Sequence, residues 1–273
     1  MSSYAGATIY TNAESGYYTI HYAMDDDRML RQEYRDGTLG ALDVHYEGPK
    51  GQERMVRKEQ GFRSLKSAKT LLYEGPRGEE RKASIEFHDG SVVYFSGPQG
   101  YEAKVKRVQA SNGLVEYFNG PKGFEQLRYA VSADGKRTTY FEGYPGHERK
   151  VRRDFMPCHT QQFFEGPKGE ERLARKLFLS GTMYWLEGPK GEERIVRKVY
   201  PNGNFCHVEG PRLLERVTRK FYASGEVVDF TGSKDRERPV RRFNVDGTVD
   251  LMDGDGESDN EEVEDDYLSD DVE

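Results

Sequence analysis

Short runs of β-branched and aromatic residues recur along the chain, and glycine, proline, asparagine or aspartate bounds each run. Residues 194–200 (RIVRKVY) and 204–208 (NFCHV) are clear examples. Runs of this length and composition are typical of β-strands. Helices are not expected, because proline or glycine interrupts every window long enough to hold one. The pattern therefore predicts antiparallel strands joined in a meander.

A motif that reads EGPKGEER in its cleanest form, at 187–194, recurs every 22 or 23 residues after a first interval of 27. We call its first glycine the anchor glycine, and positions in each repeat are counted from it. We expect proline to be the second residue of a type I turn in this motif. A second turn should form at the Asp-Gly, Asn-Gly or Ser-Gly pair that precedes most anchors. The anchor glycines are Gly48, Gly75, Gly97, Gly120, Gly143, Gly166, Gly188, Gly210 and Gly232, with Gly254 closing a degraded tenth copy.

A fixed period of this length indicates one supersecondary unit that is stacked many times. We predict an all-β fold, an elongated single-layer antiparallel meander of about 9–11 β-hairpin repeats with about 20 strands. Two repeats together have the size of a four-stranded blade, so a β-propeller-like closure is the alternative. The expected organisation is an N-terminal lead-in at 1–15, a repeat array at 16–254 and an acidic tail at 255–273.

Charge is distributed unevenly along the chain. The 273 residues carry a net charge of −7, but no lysine or arginine follows Arg242 and residues 243–273 hold 14 acidic side chains. Residues 1–242 therefore carry 41 basic and 34 acidic groups, a net charge of +7. A segment as acidic as the tail has little to bury, so we expect it to be disordered. It either keeps the protein soluble or folds back on the basic body as a pseudo-ligand.

Compartment is suggested by the cysteine content and by what the sequence lacks. The two cysteines, Cys158 and Cys206, are too few for a disulfide framework. No basic segment followed by an apolar run opens the chain, and no stretch approaches the length of a membrane span. We expect a cytoplasmic protein, with the nucleus as an alternative.

Aromatic residues form two columns in the repeat. The column at −2 is expected to pack as the core, and its neighbour at −3 should lie on the opposite face of the sheet. The −3 column therefore has either a structural or a binding role. The −2 column contains Tyr46, Tyr73, Phe95, Phe118, Phe141, Phe164 and Phe230, completed by Leu186, Val208 and Met252. The −3 column contains Tyr94, Tyr117, Tyr140, Phe163 and Trp185.

Charged residues form three further columns: glutamate at +5 in all nine full repeats, arginine at +6 in seven and arginine at +9 in six. One interpretation is that acids and bases pair across neighbouring rungs and keep exposed edges soluble. The other is that the +9 arginines form a cationic track for an acidic partner. The candidate binding residues are the +9 arginines Arg57, Arg152, Arg175, Arg197, Arg219 and Arg241, together with Tyr94, Tyr117, Tyr140 and Trp185.

Catalytic and metal-binding motifs do not stand out in the sequence. The six histidines occupy different repeat positions, and so do the pairs Cys158-His159 and Cys206-His207. A shared metal site is therefore not expected. The chain contains no phosphate-binding glycine loop, no Gly-x-Ser-x-Gly and no metalloprotease motif. We predict a protein that is not an enzyme and uses no cofactor or metal, with an irregular connection where Pro157-Cys158 replaces the usual turn.

An aromatic residue, one further residue and a glycine at the end of a strand, repeated about every 23 residues, resembles the MORN repeat. The resemblance spans roughly 16–254, and Tyr46-Glu47-Gly48 and Phe164-Glu165-Gly166 carry it well. MORN units usually place a Gly-x-Gly pair in the following strand, where this chain has Glu-Arg-x-Val-Arg-Lys. The resemblance implies elongated single-layer sheets that act as interaction platforms, in some cases dimeric, lipid-associated or fused to enzymes.

The leading functional hypothesis is a non-enzymatic repeat scaffold that presents an extended sheet surface to a protein or an acidic lipid surface. The alternative is a nucleic-acid-associated protein in which the Arg and Lys columns meet phosphates and exposed aromatic side chains stack on bases. A protein partner is the first expectation. An acidic membrane surface, nucleic acid and a second copy of the chain are the other candidates.

Overall fold

The computed structural model describes residues 17–22, 28–36, 40–61 and 69–252. These residues form 21 β-strands and no helix. The predicted all-β antiparallel meander is therefore confirmed. The predicted lead-in at 1–15 and acidic tail at 255–273 lie outside the described residues.

The chain divides into two compact units, each with its own run of strands. Unit 1 comprises residues 1–157 together with the turn 167–169. Its strands are β1 (Tyr17–Tyr22), β2 (Met29–Asp36), β3 (Gly40–Glu47), β4 (Arg54–Gly61), β5 (Lys69–Glu74), β6 (Arg81–Phe87), β7 (Val92–Ser96), β8 (Ala103–Val108), β9 (Val115–Asn119), β10 (Gln126–Val131), β11 (Arg137–Glu142) and β12 (Arg149–Phe155).

Unit 2 comprises residues 158–166 and the chain from 170 onward. Its strands are β13 (Thr160–Glu165), β14 (Arg172–Leu177), β15 (Met183–Glu187), β16 (Arg194–Val199), β17 (Phe205–Glu209), β18 (Arg216–Phe221), β19 (Val227–Thr231), β20 (Arg238–Phe243) and β21 (Val249–Leu251).

Strand order follows chain order in both units. Each strand pairs antiparallel with the next, from β1 to β12 in unit 1. The same holds from β13 to β21 in unit 2. A propeller would divide these strands into separate four-stranded blades, whereas the pairing continues without interruption through each unit. The alternative of propeller-like closure is therefore wrong.

The turn at each anchor differs from the expected type I turn. In the cleanest repeat the closing hydrogen bond runs from the Glu192 N–H to the Pro189 carbonyl, at 3.0 Å. Proline is therefore the first residue of the turn, and Gly191 is the third, with φ at +84°. Positive φ at the third position is the requirement of a type II turn. Two repeats hold the same conformation without glycine, at Leu213 (φ +69°) and Asp235 (φ +62°).

The second turn is a three-residue hairpin loop in five repeats, whereas the loops 110–113 and 133–136 have four residues. The Phe178 N–H donates to the Thr182 carbonyl, and the Gly181 N–H donates to the Phe178 carbonyl. This arrangement is a type I turn followed by a left-handed residue, and Gly181 has φ at +83°. In the irregular repeat His159 occupies the glycine position and also has positive φ, at +51°. The same connection contains a cis Met156–Pro157 peptide bond, which is found in none of the other described turns, so the irregular connection expected from the sequence is present.

A β-bulge lies in every hairpin that contains an anchor turn. Trp185 pairs with Arg197 and Leu186 pairs with Ile195, so Val196 is left as the extra residue. The same slip recurs at the corresponding position of the other repeats. The bulge sets residues at −3 opposite residues at +9, and residues at −2 opposite residues at +7. The bulge therefore determines which columns of residues are cross-strand partners.

Burial is greatest on one face of the sheet. The most buried side chains at position −4 include Cys206, 1% exposed, and Val228, 3% exposed. Successive residues of a strand point to opposite faces, so positions −4 and −2 share this face. The aromatic residues at −3 lie on the other face, where Tyr94 and Trp185 are each 39% exposed. The −4 column does not stand out in the sequence, because its members vary in type.

Candidate functional site

Glutamate at +5 binds the backbone of its own and the preceding repeat. In unit 2 the Glu193 carboxylate accepts the Leu173 N–H at 2.9 Å and the Gly191 N–H at 2.9 Å. In unit 1 Glu125 accepts the Lys104 N–H at 3.1 Å and the Gly123 N–H at 2.9 Å. These carboxylates are therefore bound by backbone donors, in addition to the attraction from nearby cations such as Lys104 beside Glu125. The same contact to the preceding repeat is made by Glu53, Glu80, Glu102, Glu148, Glu215 and Glu237.

The pKa values of three +5 glutamates in unit 1 reflect the backbone hydrogen bonds. Burial raises the pKa of Glu102, but hydrogen bonds from the N–H groups of Glu102, Lys82 and Gly100 outweigh it and lower the pKa below its ordinary value. Glu125 and Glu148 have lowered pKa values for the same balance of causes. Hydrogen bonds to the charged form favour that form. The backbone hydrogen bonds therefore favour the charged form of Glu102, Glu125 and Glu148, which hold neighbouring repeats together.

Basic residues on the same edge are also occupied. The Arg216 Nη1 donates to the Gly232 carbonyl at 2.7 Å, which ties +6 arginine to the next anchor. Arg172 forms an ion pair at 3.1 Å with Glu165, its partner on the neighbouring strand. At +2, the Lys122 Nζ donates to the Gly100 carbonyl of the preceding turn at 2.7 Å. We call this side of each unit, formed by the anchor turns and positions −1 to +6, the turn edge.

Arginine at +9 lies elsewhere, on the more open face of the sheet. In unit 2 the register places Arg175 opposite Trp185, Trp185 opposite Arg197 and Arg197 opposite His207. Aromatic and cationic side chains therefore alternate in a line across the strands. We call this line the Arg/aromatic file; in unit 2 it contains Phe163, Arg175, Trp185, Arg197, His207, Arg219, Asp229, Arg241 and Leu251.

Guanidinium groups of the file lie against aromatic rings. The Arg175 Cζ is 5.0 Å from the centre of the Phe163 ring and 5.2 Å from that of Trp185. The Arg197 Cζ is 4.3 Å from the centre of the Phe205 ring. Attraction between a cation and a ring contributes about 0.5–1 kcal/mol at exposed sites. These contacts orient the guanidinium groups but leave their positive charge without a counter-charge.

Carboxylate partners are unevenly distributed along the unit 2 file. Arg219 is neutralised by Asp229, with Nε and an Oδ atom 2.5 Å apart, and this hydrogen bond lowers the pKa of Asp229. Within residues 158–166 and 170–252, Arg175, Arg197 and Arg241 have no carboxylate within 4 Å. The Nε atoms of Arg175 and Arg197 are also buried without a hydrogen-bond acceptor in the described structure. Arg241 lies opposite Asp229 and is attracted to it, so Arg175 and Arg197 are the two arginines of this file that remain available for an external acid.

The file of unit 1 has the same register but a different composition. Three tyrosines follow one another across the strands, and the Tyr117 and Tyr129 rings stack with centres 4.5 Å apart. The Arg152 Cζ is 4.0 Å from the Tyr140 ring centre. Its Nε also lies 3.0 Å from Asp154, so this cation is balanced within the unit. The unit 1 file consequently differs from that of unit 2 in its run of adjacent tyrosines and in its arginines, since Arg31, Arg57 and Arg152 each have a carboxylate partner within the unit.

The ten candidate binding residues predicted from the sequence all lie in these two files. Sequence columns suggested an arginine track and a separate aromatic ladder, but the bulge makes them direct cross-strand partners. Unit 1 contains Arg57, Tyr94, Tyr117, Tyr140 and Arg152, and unit 2 contains Arg175, Trp185, Arg197, Arg219 and Arg241.

Metal-binding and membrane-spanning features are lacking across residues 17–22, 28–36, 40–61 and 69–252. No group of three or more His, Cys, Asp or Glu side chains is placed to hold a metal ion there. Burial raises the pKa of the Cys206 thiol, which favours the unreactive protonated form. The same residues include no helix long and apolar enough to span a membrane.

Comparisons with known proteins identify no family for this chain. No family model and no curated protein matches the chain. Among solved structures, the chain is similar to a porin-like protein from Bacteroides uniformis ATCC 8492 at 10% sequence identity. The alignment covers 88% of this chain and 92% of that chain, with a TM-score of 0.16. A likeness at this TM-score supports no conclusion about function.

Proposed function

We propose that this chain is a non-enzymatic repeat scaffold that binds an acidic partner protein through the Arg/aromatic file of unit 2. The observation that carries the proposal is the alternation of rings with arginines that lack a carboxylate partner in the described part of the unit. An acidic side chain brought by a partner would form charge-assisted hydrogen bonds with the half-buried guanidinium groups. Charged side chains of the turn edge, such as Glu193 and Arg216, are instead occupied by the chain's own backbone.

A protein is favoured over the other candidate partners by the composition of the file. Trp185 lies between Arg175 and Arg197, and tryptophan, tyrosine and arginine dominate binding energy at protein interfaces. Arginines recur only on alternate strands, about 9.6 Å apart. Such sparse, ring-flanked cations suit discrete carboxylates better than a continuous phosphate backbone. An anionic lipid surface and a nucleic acid are therefore the competing partners in the experiment that follows.

Divergent MORN-like repeats fit this proposal. The resemblance in sequence implies a platform built from stacked β-hairpins, and the hairpin repeat and single-layer meander of each unit are compatible with that family. Functional residues should then lie on a sheet face at recurring positions. The +9 and −3 columns meet this requirement.

The experiment compares the full-length protein with the double variant Arg175→Gln with Arg197→Gln. The probes are an immobilised poly-glutamate peptide, vesicles that contain phosphatidylserine, and a single-stranded oligonucleotide. We expect saturable binding to poly-glutamate that the double variant weakens about tenfold, since each lost charged contact is equivalent to roughly 0.5–1 kcal/mol or more. A control with the same change in net charge is Arg236→Gln with Arg238→Gln, which alters two exposed arginines outside the file.

The outcomes distinguish a specific protein-binding site from an effect of net charge and from a different partner. Preserved binding in the control and loss in the file variant would support the proposal. Equal loss in both variants would show that only net charge matters and would contradict a specific site. Stronger binding to vesicles or to the oligonucleotide than to poly-glutamate would replace the acidic protein with one of those partners.

A further inference from the structure

A second site is indicated on the turn edge of unit 1, where the repeat pattern breaks. An open cleft of about 270 Å³ lies between the anchor turns of two successive repeats. Gly120 and Pro121 in its wall are ordinary members of the motif. Phe124 lies at position +4, where the repeats vary. The other five wall residues depart from what most repeats carry: Asn119, Gln126, Arg128, Tyr144 and Pro145.

The departures remove an ion pair from the turn edge and add a positive charge to it. Most repeats have glutamate at −1 and arginine at +6, and these residues pair, as Glu165 and Arg172 do. In this repeat the paired positions hold the neutral amides of Asn119 and Gln126. Position +8 is a small or β-branched residue in the other full repeats, but Arg128 occupies it in this one. The ion pair is lost and a new cation is gained at the same place.

Aromatic side chains of this edge are exposed to solvent. Phe124 is 67% exposed and Tyr144 is 81% exposed, and Tyr101 at the same +4 position as Phe124 is exposed as well. Three large aromatic residues that pack against little of their own chain need another explanation than the core. Aromatic rings that line a groove are the usual recognition surface for proline-rich peptides.

The spacing of two of these rings, Tyr101 and Phe124, matches the period of a polyproline II helix. Tyr101 and Phe124 occupy the same position in successive repeats, which places them two strands apart, or about 9.6 Å. A polyproline II helix repeats every three residues with a rise of 3.1 Å, so its turns recur about every 9.3 Å. A proline-rich segment that runs across the strands can therefore present a proline to each successive ring.

Polar groups in the cleft suit the backbone and charge of such a segment. A polyproline II helix has no internal hydrogen bonds, so its carbonyl groups need external donors. The Asn119 Oδ1 accepts the Gly120 N–H at 2.8 Å, which leaves the amide NH₂ group to donate. Among the described residues Arg128 has no ion-pair partner. Its charge favours an acidic residue in the bound segment.

We propose that the cleft and the rings of Tyr101, Phe124 and Tyr144 bind an acidic proline-rich segment of a partner protein in the polyproline II conformation. This site is independent of the Arg/aromatic file, since it lies on the turn edge of unit 1 and uses none of the file residues. Failure of one proposal therefore leaves the other standing.

The test is a fluorescence anisotropy titration of the full-length protein with a labelled peptide of four Pro-Pro-Glu triplets. Phe124→Glu restores the residue that several repeats carry, Arg128→Val restores the usual type, and Tyr144→Ala removes the third ring. We expect each change to weaken binding about tenfold, as for a central interface residue. The matched control is Leu214→Glu, a replacement at the same +4 position in unit 2, which should leave binding unchanged.

Two control peptides separate the contributions of proline and charge. Four Gly-Ser-Glu triplets keep the charge but lose the polyproline II conformation, and four Pro-Pro-Lys triplets keep the conformation but reverse the charge. Both should bind at least about tenfold more weakly than the Pro-Pro-Glu peptide. Equal binding of either control peptide, or unchanged binding by both Phe124→Glu and Arg128→Val, would overturn the proposal.

Discussion

The turn edge and the Arg/aromatic file both carry charged columns that recur with every repeat, but the chain uses them in opposite ways. On the turn edge, the Glu193 carboxylate is held by two backbone N–H groups, and the Arg216 guanidinium by a backbone carbonyl. On the file of unit 2, Arg175 and Arg197 lie against rings and have no carboxylate partner among the described residues.

This difference shows that regular recurrence does not separate charges that build a repeat from charges that can bind a partner. A thin, single-layer sheet buries few side chains, so it needs polar contacts between successive turns. Those contacts must recur in every repeat. A column whose charges the fold itself satisfies is structural, whereas a column left unsatisfied is available to a partner.

Acid should have the largest effect on the turn edge, because it acts on the +5 glutamates of several repeats at once. The pKa values of Glu53, Glu102, Glu125 and Glu148 are lowered in the folded protein. Their stabilising contribution is therefore complete above the ordinary glutamate pKa of about 4.3 and is lost as the pH falls through the lowered values. Urea unfolding followed by far-ultraviolet circular dichroism, which reports on the strands of both units, should show this loss.

The matched control for acid sensitivity is Glu102→Gln, which keeps an acceptor but cannot titrate. The variant should be less stable than the parent at neutral pH, and the difference should narrow in acid. A constant difference between neutral and acidic conditions would contradict the role assigned to the carboxylate.

The anchor glycine should be the most sensitive single position of the turn edge. At Gly188 φ is +121°, and an added Cβ would lie 2.8 Å from the Glu192 carbonyl oxygen. Gly188→Ala should cost about 3 kcal/mol, because strained backbone and a close contact combine. Gly191 has φ at +84° and open space around it, so Gly191→Ala should cost only about 1–2 kcal/mol. Equal losses in denaturant unfolding would show that the close contact relaxes.

Adjacent glutamates offer a direct test of the bond between repeats. Glu193→Ala removes the acceptor of the Leu173 and Gly191 N–H groups and should lower the free energy of unfolding by about 2 kcal/mol. Glu192, one residue earlier, is exposed, and Glu192→Ala should change stability by less than about 0.5 kcal/mol. Chemical unfolding of the two variants measures the difference. Indistinguishable stabilities would mean that solvent replaces the lost acceptor without cost.

Sequence reasoning predicted the fold well because turn residues and strand-length runs repeat many times. Each copy of a Gly-containing turn at a fixed spacing supports the same conclusion, so drift in one copy, such as Pro157-Cys158, does little harm. The position of the hydrogen bond in the anchor turn was wrong, since Gly-Pro-Lys-Gly is compatible with more than one turn type. Only the folded backbone reveals that proline comes first in the turn.

The candidate site was predicted as two separate columns of residues. The sequence did not reveal that the two columns are cross-strand partners. An unbroken strand register would not reveal that Trp185 faces Arg197, because the bulge at Val196 shifts the register by one residue. The role of Glu193 was also missed, since its backbone partner Leu173 is 20 residues away. The unit 1 cleft could have been found as a cluster of departures from the repeat, of which Arg128 is the clearest.

A residue other than glycine at positive φ lowers the stability of the turn edge. Leu213 has φ at +69° and is 73% exposed, so its side chain gains little from packing. Leu213→Gly should stabilise the protein by about 0.5–1 kcal/mol, since relief of strain exceeds the entropy that glycine adds to the unfolded chain. Leu214→Gly, at the next exposed position, gains no such relief and should destabilise by a similar amount. Thermal unfolding of both variants checks the opposite signs.

The smallest effect on stability is expected in the file. Arg241 is exposed and lies 5.9 Å from the Phe243 ring centre, so Arg241→Gln should change the free energy of unfolding by less than about 0.5 kcal/mol. Arg216→Gln removes the hydrogen bond to the Gly232 carbonyl and should cost about 1 kcal/mol. Both changes remove one positive charge from unit 2, so net charge cannot explain a difference. Urea unfolding should therefore rank the turn-edge arginine above the file arginine, and the reverse order would assign the file a structural role in place of the binding role proposed for it.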